Sequence, residues 1–218
     1  MAPPGQGSRV SEVVQLSLFS ADVDEPVSAD LAGLLAAHGQ SQHTDTGTRI
    51  SIAVTEPWRA QAIVRELLST GLPAEIGASG EGNPIARTTP GRELDELVGR
   101  WTSGAVKAVP AGWIPSPRAL RLWVLASGHP EGDRYLLGLD PHAPESHAPL
   151  ATALMRAGIA PTLVGTRGTA PALRIAGARR LQRLLEYVGR PPAIAGAAAA
   201  WPHGYGDVHG LDAHSARH

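Results

Sequence analysis

Four arginines, Arg49, Arg87, Arg134 and Arg174, are the residues of this chain whose type and spacing could do chemistry. Arg49 and Arg134 stand 85 residues apart and Arg87 and Arg174 stand 87 apart, each pair in matching surroundings. A guanidinium is always charged, and its planar fork donates two parallel hydrogen bonds to a phosphate or to a guanine edge. Four of them related by symmetry would suit duplex DNA. Arg49, Ser51 and Ala53 alternate with Ile50, Ile52 and Val54, which puts Arg49 on the strand face opposite the core. The plain alternative is that all four are solvating charges at sheet edges, matched only because the sequence around them is repeated.

Other chemistries find little support. The chain has no cysteine, which excludes disulfides, thiolate zinc sites and a cysteine nucleophile. Asp95 with Glu96, and Glu131 with Asp133, read as surface carboxylates rather than acid–base pairs. His129, His142 and His147 read as loop residues with no serine and aspartate arranged around them for acyl transfer. The loose spacing of His203, His209, His214 and His218 reads as a solvated tail, not a metal site. No glycine-rich phosphate loop or dinucleotide fingerprint is present, so no cofactor is expected. Trp58, Trp101, Trp113 and Trp123 read as core anchors.

Composition narrows the class further. With 19 cations against 20 anions over 218 residues, the chain is not a general polycation. Hydrophobic residues, at 43%, suffice for a core, and no apolar run approaches the ~20 residues of a membrane span. Met1 is followed by Ala-Pro-Pro-Gly rather than by an export signal, so a cytoplasmic protein without membrane partners is expected. Lys107 is the one lysine among the cations, a bias that a GC-rich genome explains. Charge is unevenly spread: residues 156–190 carry a net +6 and residues 1–48 a net −5. The basic stretch could meet phosphates, an acidic protein partner or the chain's own acidic N-terminal part.

The elements that must position these residues come twice. Glu66-Leu67-Leu68-Ser69-Thr70-Gly71 aligns with Ala153-Leu154-Met155-Arg156-Ala157-Gly158, and the same offset of 87 carries Arg92, Leu94 and Leu97 onto Arg179, Leu181 and Leu184. Upstream, Arg49–Val54 falls on Arg134–Leu139, and Leu31–Gly39 falls on Leu120–Gly128 at an offset of 89. Repeat 1 spans 28–101 and repeat 2 spans 118–190, joined by a linker at 102–117 rich in proline. Each copy predicts a short apolar helix (28–38; 116–127), a strand (48–54; 133–139) and an amphipathic helix (57–70; 145–157). Two strands follow (72–78 and 84–88; 160–166 and 171–176), then a closing helix (91–101; 178–188). Residues 1–27 read as a partly disordered extension with a strand over Val13–Phe19, and 191–218 as a disordered tail.

The first helix, Leu31-Ala32-Gly33-Leu34-Leu35-Ala36-Ala37-His38-Gly39, resembles the motif of the LAGLIDADG homing-endonuclease family. Two tandem copies in this order resemble the double-motif members, which implies an α/β (α+β) fold of two αββαββα repeats in one pseudo-two-fold domain. It also implies a sheet saddle that lies on duplex DNA. In active members an acidic residue before the final glycine of each motif binds the divalent metal. Here those positions are His38 and Ser127, and the other acidic motif position is Ala36 in one copy and Leu125 in the other. Magnesium requires carboxylate and water oxygens, so the cleavage centre is not expected to form and the protein is not expected to be an enzyme. The segment Arg118–Gly128 is similar to the inactive LAGLIDADG-like domain of the WhiA sporulation regulators, without the helix-turn-helix that follows it there. Leu122 stands where that helix would carry glycine, which argues against close helix packing between copies. The expected function is non-catalytic DNA binding or regulation, with Arg49, Arg87, Arg134 and Arg174 as contacts; the alternative is a protein–protein adaptor that binds no DNA.

Overall fold

In the computed structural model, residues 20–104, 106–166, 168 and 170–203 are described. The strand expected over Val13–Phe19 lies outside them. Copy one opens with a 3-10 turn (Ser28–Leu31) and α1 (Ala32–Ala36), then β1 (Gln40–Thr44), β2 (Gly47–Ala53) and α2 (Pro57–Ser69). It continues through β3 (Ala74–Ala78) and β4 (Pro84–Thr88) to a 3-10 turn (Arg92–Leu94) and α3 (Asp95–Arg100). Copy two repeats this as α4 (Pro117–Ser127), β7 (Gly128–Glu131), β8 (Arg134–Gly138), α5 (His147–Arg156), β9 (Thr162–Val164), β10 (Ala172–Ala176) and α6 (Ala178–Val188). Between the copies lies a hairpin of β5 (Thr102–Ser103) and β6 (Val106–Lys107). Each copy forms a four-stranded antiparallel sheet, ordered β1-β2-β4-β3 and β7-β8-β10-β9.

The registers express the repeat. Ser51 faces Arg87 as Leu136 faces Arg174, and Gln40 faces Ser51 as His129 faces Leu136. The offsets of 89, 85 and 87 therefore hold in three dimensions. Gly71 and Gly158 both adopt φ +81 just past α2 and α5, the left-handed turn that ends a helix without a Cβ clash.

Helix α4 is buried on all sides, from Ala119 to Ala126, because α1, α2, α6 and β8 all pack on it. Ser116 caps it by accepting from the Ala119 N–H at 3.0 Å, and Pro117 supplies the first helical φ. The close approach between copies is present despite Leu122: a Cβ on Gly33 would overlap the Ala119 carbonyl oxygen. One glycine against a small residue lets the helices meet, so a glycine in each is not required. The core runs continuously across both copies, from Leu34, Ile50 and Ile63 to Trp123, Leu137 and Ile175. Trp101 and Trp123 are fully buried, whereas Trp58 and Trp113 are half-buried; Trp113 meets Trp101 edge-on at 4.8 Å.

Two departures from the expected elements have physical causes. β1 (Gln-Ser-Gln-His-Thr) and β7 (Gly-His-Pro-Glu) are edge strands with no apolar alternation, and an edge tolerates Pro130 because its outer side pairs with no other strand among the described residues. The segment read as a tail is structured as far as it is described. Residues 197–200 form α7 (Ala197–Ala200), and Trp201 is 2% exposed, its Nε1 donating to Gly189 O at 2.8 Å. A lone tryptophan carries no periodicity, so the anchor is silent in the sequence. Among the described residues no helix is long and apolar enough to cross a membrane.

Candidate nucleic-acid interface

Strand alternation fixes which side each arginine takes. In β2, Thr48, Ile50 and Ile52 are buried, so Arg49 projects from the other face; Arg87 lies on it too, through its pairing with Ser51. In copy two, Tyr135, Leu137, Leu173 and Ile175 are buried, which sends Arg134 and Arg174 to the opposite face. All four arginines thus occupy equivalent positions on the face of each sheet turned away from the core.

Their environments differ. Arg87 is paired with Glu75 of β3 at 2.7 Å, and its guanidinium lies across Gly77. Arg134 stands 3.4 Å from its neighbour Asp133 and is largely solvated. Arg49 has a buried Nε that meets no acceptor among the described residues. Arg174 is half-buried and makes no ion pair among the described residues. Glu75 and Glu131 share the face, being the cross-strand partners of Arg87 and Arg134. Gln40, Gln42 and His129 also belong to it, on the edge strands that the apolar pattern conceals. Extending the offset of 89 one residue past Gly39 would have matched Gln40 with His129.

Between the sheets, at the ends of α1 and α4, lies a cleft of about 520 Å³ lined by His38, Glu56, Arg59, Asn83, Ser127 and His129. His129 is a strand residue of β7, not a loop histidine. The last carbonyls of a helix lack intrahelical donors and carry partial negative charge. Here each helix end meets a cation of the chain itself. Arg59 donates to Val124 O at 3.2 Å, Leu125 O at 2.9 Å and Gly128 O at 2.6 Å, and its Nε reaches Glu56 at 2.6 Å. Lys107 donates to Ala37 O at 2.9 Å and pairs with Asp140 at 2.7 Å. Neither role was legible: an arginine on an amphipathic helix and one lysine in a linker look ordinary until the fold brings them to carbonyls 65 and 70 residues away along the chain.

The metal that the resemblance implies does not fit this donor set. His38 Nε2 is bound to Ala53 O at 2.8 Å, and the Ser127 hydroxyl donates to Gly138 O at 3.0 Å. Neither group is anionic, and a guanidinium and an ammonium already hold the helix ends, where they would repel a divalent ion. No cluster of three or more histidine or carboxylate groups suited to a metal occurs among the described residues.

Burial alone would raise the Asp140 pKa, but the bonds from Lys107 and the His142 N–H outweigh it and hold the carboxyl below its usual value. Lys107 moves down because burial disfavours its charge, with Asp140 restoring part of it. A carboxyl lowered by folding adds stability that is complete above its unfolded pKa and is lost as pH falls through the folded one. Asp140→Asn should therefore lower stability near neutrality and flatten its decline toward acid, read from urea midpoints between about pH 5 and about pH 2.5.

No protein-family model matches this sequence, and no curated protein does. Solved structures do match. The homing endonuclease I-WcaI, bound to its DNA recognition sequence, superimposes with a TM-score of 0.55 at 12% identity, over 76% of this chain and 81% of that one. The N-terminal LAGLIDADG domain of DUF199/WhiA gives 0.52 at 16% identity, over 77% and 84%. Full-length DUF199/WhiA from Thermatoga maritima gives 0.55 at 17% identity, over 77% of this chain and 56% of that one. At these identities the likeness establishes architecture: the chain carries the LAGLIDADG fold, two αββαββα repeats about a pseudo-two-fold axis.

Proposed function

We propose that this protein binds duplex DNA on the outer faces of its two sheets and does not cut it, acting as a regulator. The observation that carries this is the placement of Arg49 with Arg134 and Arg87 with Arg174 at equivalent sheet positions facing away from the core. That I-WcaI, of the same fold, was solved bound to its DNA recognition sequence supports DNA as the ligand. The amide of Gln42, the cross-strand partner of Arg49, adds a group of the kind that reads adenine edges. Loss of cutting follows from the fixed cations at the helix ends and from the imidazole and hydroxyl at positions 38 and 127.

A gel shift with duplex DNA over a salt series tests this. Wild type should bind at ~50 mM salt and weaken steeply as salt rises. Changing all four arginines to alanine should reduce affinity roughly a hundredfold and make the salt slope shallower by about three to four, one for each phosphate that is no longer neutralised. Arg87, already paired with Glu75, should contribute least. Supercoiled plasmid with magnesium should stay intact; a nicked product, or no duplex binding at low salt, would overturn the reading.

A further inference from the structure

The closing helices of the two copies occupy equivalent positions and carry opposite charge. At the offset of 87, Glu93 matches Arg180 and Glu96 matches Arg183. In copy one the acids Glu93, Asp95 and Glu96 sit in the first turns, where the helix dipole favours anions. In copy two Arg179 and Arg180 occupy the first turn of α6, the end where cations are disfavoured, with no acid in that turn to offset them. Copy one serves as a partial internal control: Arg92 stands at the position of Arg179, but Glu93 and Glu96 stand at those of Arg180 and Arg183, so the fold does not require the two further arginines.

Those arginines line a groove of about 880 Å³ together with Gly158 and Gly177, two residues without side chains. Arg179 and Arg180 are exposed, and among the described residues neither pairs with a carboxylate; Arg180 reaches only Ala176 O at 3.3 Å. Arg183 is held in place, 3.4 Å from Glu186 and 4.7 Å above the Tyr187 ring. Arg156, exposed at the end of α5, lies two residues before Gly158 in the chain. The inner side of α6, with Leu181, Leu184 and Val188, is buried, so this groove opens away from the core. Arg174 leaves β10 on the sheet face that is also away from the core but across the sheet from α6. The groove and the proposed DNA surface are therefore separate.

We infer that this groove docks an extended acidic segment of a partner protein, its carboxylates accepting from Arg179 and Arg180. A groove of this volume takes a single extended chain rather than a duplex, and the Glu186 carboxylate in its lining is already held by Arg183. A second copy of this protein fits less well, since the acids of the α3 region are interleaved with Arg92 and Arg100. The inference goes beyond the DNA reading and stands independently of it.

The test is fluorescence anisotropy of a fluorescein-labelled peptide of about ten alternating glutamates and serines at ~50 mM salt, titrated with the full-length protein. The peptide should bind, and Arg179→Glu with Arg180→Glu should weaken it tenfold to a hundredfold, roughly what two lost charge pairs cost. The same charge change at the matching region of copy one, Arg92→Glu with Arg100→Glu, should leave affinity within about twofold, which separates a site from bulk charge. Replacing Arg49, Arg87, Arg134 and Arg174 by alanine should spare peptide binding even where the gel shift is abolished. Circular dichroism confirms that each variant is folded. Absence of binding, equal weakening by both charge-reversed pairs, or loss with the four saddle arginines overturns the inference. So does duplex DNA displacing the peptide through Arg179 and Arg180, which would make the groove a nucleic-acid site.

Discussion

Replacing Arg121 with methionine is expected to lower stability by about 3–5 kcal/mol, the usual cost of removing one partner of a buried charge pair. Arg121 is 8% exposed on α4 and meets three parts of the chain at once. Its Nε donates to Glu66 of α2 at 2.7 Å, its Nη1 donates to Val188 O at 2.7 Å and Arg190 O at 2.6 Å, and its guanidinium lies 5.1 Å from the Trp201 ring. One side chain thus joins copy one to copy two, caps the C-terminal end of α6 and supports the segment that follows it. Methionine fills similar volume but leaves Glu66 with Arg118 alone and removes the Arg121 donor from Val188 O at the end of α6 and from Arg190 O beyond it. Urea denaturation followed by tryptophan fluorescence gives the change from the midpoint at constant slope. A double-mutant cycle with Glu66→Gln should show coupling above about 1 kcal/mol. Coupling near zero would mean that the pair behaves as an exposed one, contrary to its burial.

A second large effect is expected at Arg59. Arg59→Met should destabilise by about 3 kcal/mol, because Leu125 O and Gly128 O lose the Arg59 donor, Val124 O is left with the Gly128 N–H, and Glu56 loses its ion-pair partner. Arg59→Lys should recover less than half of the loss. An ammonium lacks the fork that reaches Val124, Leu125 and Gly128 together while also serving Glu56. Thermal and urea unfolding of both variants checks the order. A lysine variant as stable as wild type would show that charge alone, without the geometry of the fork, holds the helix end.

The architecture was legible because duplication turns weak local signals into a pattern that must agree with itself. Arg49 with Arg134, and Arg87 with Arg174, declared their sheet faces through offsets that the strand registers reproduce. What lay hidden was encoded without period. Edge strands β1 and β7 have no buried face to create alternation, and the 3-10 entry at Ser28–Leu31 breaks what the motif suggests as one helix. The missing acids at positions 38 and 127 were plain from the motif. The groups that take over the helix ends were not, since a long side chain reaching a carbonyl about 65–70 residues away leaves no mark on spacing. Trp201 was hidden for the same reason, a single anchor in a stretch otherwise rich in alanine.

The positive charge at the junction of the two copies is covalently part of the polypeptide, in Arg59 and Lys107. On the proposed reading a chelator would find nothing there to strip away, and swings in magnesium would leave that junction as it is. If duplexes are gripped here, the monovalent salt of the surroundings, rather than the supply of any dication, becomes the dial that sets how long they stay.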